Sequence, residues 1–371
     1  MIKHILNGMI LMILLTGPLR SQQADMWPVF RGDPQLRGYT DVKISAPLKL
    51  AWTYQAEDAF VAAPVIAAGK IFAGNIDGIF YALDMKGKLL WQYKTDNSIE
   101  APALFHNGVI YFGNLSGILF ALDAGTGSLL WQYETENQIM GSPNFFSLDN
   151  RSFIIVGSYD YYLHCVETST GNPVWKYESD NFVNGAAAID GNKAIFGGCD
   201  GFLHVVDIKS GQRHKKLEVA TYIAGSVAVK DQFVYTGDYD GQFSCIDINA
   251  GLIRWKWVNP KSSLPILGSP SIIGDKVVIG GQDKYLYCFE RFNGTLEWSF
   301  NAGGRIDASP VIARDRIIIG TMDGMLYMID LESGKEIWSY EIGSAIPHNP
   351  GLVDGKMILG ARDGNIYCFE D

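Results

Sequence analysis

From about residue 48 onward, short apolar runs alternate with polar turns, and no stretch sustains the 3.6-residue apolar period of an amphipathic helix. One unit shows the pattern. Ser309-Pro310-Val311-Ile312 opens an extended run, and Arg316-Ile317-Ile318-Ile319-Gly320 forms a second. Asp323-Gly324 leads into Met325-Leu326-Tyr327-Met328-Ile329-Asp330, and Ser333-Gly334 leads into Glu336-Ile337-Trp338-Ser339-Tyr340. Runs this short, rich in β-branched and aromatic residues and bounded by turn residues, predict strands. Asp-Gly favours a tight hairpin because both residues tolerate positive φ.

The turn before the third run recurs as Asp77-Gly78, Ser116-Gly117, Asp160-Tyr161, Asp200-Gly201, Asp240-Gly241, Asp283-Lys284, Asp323-Gly324 and Asp363-Gly364, at steps of 39, 44, 40, 40, 43, 40 and 40 residues. A four-stranded sheet that is apolar on both faces is not stable alone, so neighbouring copies must cover it. Eight copies set radially do so, and the expected fold is an all-β, eight-bladed propeller of four-stranded antiparallel blades. The last copy ends at Asp371 after its third strand, while an orphan fourth strand, Leu48 to Tyr54, precedes the first copy. Joining the two closes the ring and leaves no free sheet edge, so a monomer is expected.

Tryptophans mark the fourth strands: Trp52, Trp91, Trp131, Trp175, Trp255, Trp298 and Trp338. From Trp91 onward each stands four residues after a glycine, and the position four after Gly211 holds Lys215 instead. A flat indole recurring at one place is expected to dock against the next blade.

Charge and the N-terminus narrow the function classes. The chain of 371 residues carries a net charge of -10 and no basic stripe, which argues against nucleic acid. Lys3 and His4 followed by an apolar run from Met9 to Leu15, broken at Gly17-Pro18, read as a signal peptide over residues 1–21. That run is too short to span a bilayer. A lead-in over 22–47 then precedes the propeller, 48–371. A periplasmic or secreted protein follows, with no transmembrane helix in the mature chain and no cysteine placed for an N-terminal lipid anchor, since the first is Cys165. Cys165, Cys245, Cys288 and Cys368 share a third-strand slot that Ala82 and Ala121 fill elsewhere, so they read as core. Cys199, in a turn, is the one expected near the surface. His164 and His204 read as packing or rim residues.

The run Ala121-Leu122-Asp123-Ala124-Gly125-Thr126-Gly127-Ser128-Leu129-Leu130-Trp131 resembles the tryptophan-docking motif of the PQQ-type (quinoprotein-like) β-propeller repeat family, over residues 45 to 371, and Trp27-Pro28-Val29-Phe30-Arg31-Gly32 resembles the segment that precedes such propellers in exported bacterial proteins. The family has a dehydrogenase branch, which uses PQQ and calcium, and a non-catalytic branch that includes BamB-like members. The resemblance implies ligands at the mouth of the central channel. Counting three residues back from the Pro310-type position gives Val61, Ile99, Met140, Asn184, Ala224, Leu267, Asp307 and Pro347 as channel residues, followed by Glu100 and His348 among others. Glu100 and Asn184 stand as the calcium-holding pair of the dehydrogenases does, with Arg305 as a further cofactor contact. The family's base position holds Ala224, which leaves Asp307 as the catalytic candidate on that reading. The dehydrogenases' adjacent cysteine pair is absent. The expected function is therefore an exported, non-catalytic propeller without cofactor, binding an envelope or extracellular protein or a glycan at one rim. The alternatives are a PQQ- and calcium-dependent alcohol or sugar dehydrogenase, and a carbohydrate-binding accessory protein of a polysaccharide-processing system.

Overall fold

The computed structural model describes residues 26–219, 221–223 and 225–371. The proposed leader, 1–21, and Ala224 lie outside them. Among the described residues every regular element is a strand, and the strands form eight sheets in a ring. Blade 1 runs from the inside outward as Val65–Ala67, Lys70–Gly74, Ile79–Asp84 and Leu89–Lys94, all antiparallel. Blades 2 to 7 repeat this order. In blade 8 the outer strand is Lys49–Gln55, which pairs with the C-terminal strand Asn365–Glu370, Lys49 opposite Glu370 and Gln55 opposite Asn365. The ring closes as the sequence predicts.

Burial explains why the strands are short and the blades radial. The second and third strands are apolar on both faces, as in Ile317 to Ile319 and Leu203 to Val206, because each face meets a neighbouring blade. The fourth strands are half exposed and alternate, Leu129–Glu134 being a typical case.

The indoles lie across the seams between blades. Trp91 Nε1 donates to Ala124 O at 3.3 Å, Trp131 to Thr168 O at 2.8 Å, Trp175 to Ile208 O at 2.9 Å, Trp255 to Arg291 O at 2.8 Å and Trp298 to Leu331 O at 3.1 Å. Trp52 bonds Met85 O across the closure in the same way. Each of these rings also lies on a glycine of the next blade. Gly127, at φ +75°, has room for no more, since a Cβ there would stand 2.6 Å from Trp91. Between blades 4 and 5 the ring is missing, and Lys215 Nζ reaches Asn249 O at 2.8 Å.

The lead-in, which the sequence presents only as a preface, is built into the ring. Trp27 bridges Ile66 of blade 1. Pro28 O then accepts from Phe105 N of blade 2, and Pro34 O from Asn144 Nδ2 of blade 3 and Ile189 N of blade 4. Gln35 O accepts from Val229 N of blade 5, Arg37 O from Ile272 N of blade 6, Gly38 O from Ile312 N of blade 7 and Lys43 O from Gly355 N of blade 8. This strap thus circles the hub in blade order, and Tyr39–Thr40 adds a short parallel strand to blade 7. Its anchor is Arg31, fully buried, whose Nη1 donates to Pro310 O at 2.6 Å and Nη2 to Pro270 O at 2.9 Å and Ser271 Oγ at 2.6 Å. Burial pushes the Arg31 guanidinium down to about 9. Gly38 must be glycine, because a Cβ would fall 1.9 Å from that guanidinium.

Two outcomes follow. Arg31→Met removes three buried hydrogen bonds, leaving Pro270 O without its donor, and costs about 2–3 kcal/mol, visible as a lower urea midpoint with faster hydrogen exchange at the Ile189, Val229, Ile272 and Ile312 amides that bond the strap. Trp131→Ala removes a partly buried indole and its hydrogen bond, and should cost about 2–3 kcal/mol, whereas Lys215→Ala should change the midpoint by less than about 1 kcal/mol. Equal losses at the two positions would show that the indole seams carry no special share of stability.

Candidate functional site: the hub cup and its rim

The inner strands start at one end of the channel and meet the strap at the other. At the starting end a buried isoleucine recurs. Ile306 N donates to Gly281 O and its side chain packs on Gly280, and Ile99 does the same with Asn75 O and Gly74. Ile99 is therefore the structural counterpart of Ile306 and is fully buried, which corrects its expected place in the channel. The count slipped because Pro102 stands one residue ahead of the repeat's proline slot, which Ala103 fills. The equivalent ring is Val61, Glu100, Met140, Asn184, Leu267, Asp307 and Pro347, with Ala224 outside the described residues.

All of the described ring residues but Asp307 line a cup of about 700 Å³, together with Asp58, His348 and Arg362. Phe30 of the strap lines it as well and forms part of its floor, so the cup faces one end of the ring only. Glu100 and Asn184 come together in this cavity. Glu100 accepts from Ser98 Oγ at 3.0 Å, and Asn184 Oδ1 accepts from Tyr159 OH at 2.8 Å. Asp307 does not line it. Its carboxylate is held by Arg305 at 3.0 Å and by Gln282 Nε2 at 3.0 Å, so Arg305 and Asp307 form a pair of their own on the rim.

Calcium takes six or more oxygens. Among the described residues no group of three or more His, Cys, Asp or Glu is placed to hold a metal ion. Glu100 and Asn184 each already satisfy a neighbouring hydroxyl, and the next acid of the ring is paired to an arginine. This donor set does not fit a calcium-held cofactor. His348 is neutral at ordinary pH, because burial and the nearby Arg362 push its imidazole down to about 4.

The rim is more distinctive than the cup. The turn after each second strand places one residue beside the loop that leads into an inner strand: Tyr159 N donates to Gln138 O, Cys199 N to Phe182 O and Tyr239 N to Tyr222 O. In blades 3 to 5 these positions are aromatic except at Gln138 and Cys199. Tyr159 stacks on Phe182 with centroids 4.4 Å apart, Tyr161 packs on Phe182 at 5.3 Å, and Tyr222 meets Tyr239 edge-on at 4.7 Å. Tyr161 and Tyr239 are exposed at 44% and 47%. Aligning the turn residues of the repeat would have exposed this cluster from sequence, since the same slot holds Ile76, Leu115, Gln282, Met322 and Arg362 elsewhere. Cys199, expected near the surface, is buried beneath this patch at 4% exposure, with its thiol pushed up by burial. A turn on a propeller rim is roofed by the next blade's loop, which sequence alone does not show. All five cysteines are buried and free. His164 and His204 are buried and paired with Asp160 and Asp200 at 2.9 Å, and they also meet Tyr133 and Tyr177 across their seams.

A family model described as outer membrane protein assembly factor BamB matches residues 45–145, 200–350 and 282–370. The chain belongs to that family. Among solved structures, BamB from Moraxella catarrhalis is similar with a TM-score of 0.74 and 21% identity, covering 87% of this chain and 100% of that one. A europium-containing methanol dehydrogenase gives 0.79 at 13% identity, covering 95% and 100%. The quinohemoprotein alcohol dehydrogenase from Comamonas testosteroni gives 0.78 at 15%, covering 95% and 81%. At such identities these likenesses establish the fold. No curated protein matches the sequence.

The depressed His348 makes a pH prediction. An unfolded histidine takes its proton near 6.5, so between about 6.5 and 4 the unfolded chain binds a proton that the native chain refuses. Stability should therefore fall as pH drops through that window. His348→Gln should flatten this part of the profile, measured as urea midpoints at pH 7 and pH 4.5. An unchanged slope would place the imidazole in ordinary solvent contact.

Proposed function

We propose that this protein is an exported, non-catalytic binding propeller of the periplasm or extracellular space, and that it docks an envelope protein on the cup rim at blades 3 to 5. The observation that carries the reading is the aromatic cluster of Tyr159, Tyr161, Phe182, Tyr222 and Tyr239 beside the open cup. Aromatic side chains that are rigid, partly exposed and polar-tipped supply large contact area at small entropic cost, as protein interfaces do. The cup residues support the non-catalytic part. Glu100 and Asn184 are engaged with Ser98 and Tyr159, Asp307 is paired with Arg305, and among the described residues no group of three or more His, Cys, Asp or Glu is placed to hold a metal ion. Family membership supports a role in assembly through protein contacts. We read the seven seam tryptophans as docking elements of the scaffold rather than as a ligand platform.

The test is capture from envelope extract with the wild-type chain and with Tyr161→Ala/Tyr239→Ala. Both tyrosines are exposed, so the variant should keep its melting temperature and lose the enriched partner by about tenfold or more. Equal capture by both chains would remove the rim from consideration. Retention on immobilised glycan in place of protein would select the carbohydrate reading. Dye reduction after addition of PQQ and calcium would overturn the non-catalytic one.

A further inference from the structure

The seam between blades 4 and 5 differs from every other seam at three repeat positions at once. Elsewhere the outer strand of one blade offers an indole and, two residues on, a second aromatic ring, which meets a ring on the third strand of the next blade. Tyr133 meets His164 at 5.7 Å, Tyr177 meets His204 at 5.7 Å, Trp257 meets Tyr287 at 4.6 Å and Phe300 meets Tyr327 at 5.3 Å. At the 4–5 seam these slots hold Lys215, Leu217 and Ser244. In four blades the third-strand ring also bonds the acid four residues earlier: His164 bonds Asp160, His204 bonds Asp200, Tyr287 bonds Asp283 and Tyr367 bonds Asp363. In blade 5 that acid is Asp240, and no ring reaches it.

Beside these positions the seam opens into a groove of about 640 Å³, lined by Glu218, Thr221, Asp238, Asp240, Gln242 and Lys256 among others. Ser244 lies one step deeper on the same face. It is two residues from Gln242 along the strand and directly opposite Lys256 across the ladder. Its hydroxyl is buried at 1% exposure, and among the described residues it has no hydrogen-bond partner. The acids differ from their counterparts too. Asp160 and Asp200 are covered by their histidines, with side chains 3% and 5% exposed, whereas Asp240 is exposed and accepts from Thr221 Oγ at 2.5 Å on the groove's far wall. Asp238 is buried at 2% in a slot that holds Asn, Ser, Gly, Thr or Ala in the other blades; its Oδ1 caps the turn by accepting from Asp240 N and Gln242 N, as Asn114 Oδ1 does from Ser116 N and Ile118 N, and its Oδ2 accepts from Gln242 Nε2 at 3.2 Å. The one cation, Lys256, is committed to Val219 O at 2.9 Å.

We propose that this groove is a binding site for a guanidinium group, which takes the place of the missing ring and donates to Asp240 and Asp238. The slot left by an imidazole or phenol is flat, the acid at its mouth is placed to accept an in-plane donor, and the lining carries three acids against one engaged lysine. A planar cation with several fixed donors matches that set, where an ammonium is a point charge that cannot fill a flat slot. Gln242, Thr221 and the Ser244 hydroxyl supply the remaining polar contacts. The site does not rest on the rim reading, because its recognition elements are the seam residues themselves.

The experiment titrates the full mature chain with agmatine, with a Gly-Arg-Gly peptide and with n-butylamine, by calorimetry and by thermal shift. Saturable binding of agmatine or the peptide is expected, about tenfold tighter than butylamine. Agmatine binding as well as the peptide points to a small-molecule ligand, and tighter peptide binding points to an arginine of a partner; both support the site. Ser244→His should refill the slot, raise the melting temperature and abolish binding. Asp240→Asn, an exposed change that preserves shape, should weaken binding about tenfold and so keeps the test decisive if the histidine variant folds poorly. Absence of saturable binding, equal affinity for butylamine, or affinity unchanged in Asp240→Asn overturns the proposal. Loss of guanidinium binding with envelope capture intact, or the reverse, separates this site from the rim.

Discussion

Everything in this molecule follows from the fact that one blade cannot bury its own two faces. A four-stranded sheet of about 40 residues is marginal in isolation, and here its central strands are apolar on both sides. Stability therefore resides in the seams, and the seams repeat a few contacts. A β-branched side chain such as Ile99 or Ile306 packs onto a glycine of the preceding blade, an indole lies over a glycine of the next one, and a ring-to-ring contact sits at the outer end. Glycine recurs at these places because a Cβ would overlap its neighbour, 2.3 Å from Ile99 at Gly74 and 2.6 Å from Trp91 at Gly127.

A ring of seams has a weakness at its centre, where only the short inner strands meet. The strap answers it. It spends its backbone acceptors one blade at a time and adds a fully buried arginine whose donors go to Pro270, Pro310 and Ser271. A buried charge of this kind is costly unless every donor is used, and Arg31 Nε has no partner among the described residues, so its presence fixes the path of the strap more than it adds stability. Closing the hub at that end also decides where function can sit. The cup opens at the opposite end, the turns after the second strands form its rim, and the aromatic cluster lies there.

The repeat, the blade number and the closure by Lys49–Gln55 were legible in the sequence because each depends on local pattern: turn residues, alternation and a recurring tryptophan. Three features were not. The strap has irregular backbone, and its partners are amides spread over eight strands, so nothing in its own residues marks a path. Ile99 was misplaced because counting from proline follows a residue that shifts freely within a loop, whereas the buried isoleucine cannot shift without losing its glycine. Cys199 was misread because a turn is exposed only when nothing roofs it, and on a propeller rim the next loop does. At the candidate site, Glu100 and Asn184 line one cavity, while the separation of Asp307 from it, through Arg305 and Gln282, depends on side-chain directions that spacing does not encode.

The 4–5 seam brings these threads together. If seam packing is what stabilises the ring, then Lys215, Leu217 and Ser244 in these slots are a local sacrifice of stability. Asp238 stands where other blades carry neutral residues, and burial raises its carboxyl above the ordinary range. Its hydrogen bonds from Asp240 N, Gln242 N and Gln242 Nε2 offset part of that cost, and a cation in the groove would offset more. The groove lies next to Tyr222 and Tyr239 through its lining residues Thr221 and Asp240. The one seam that gives up its rings is thus continuous with the one part of the rim that gathers them, and a ligand of either could reach the other.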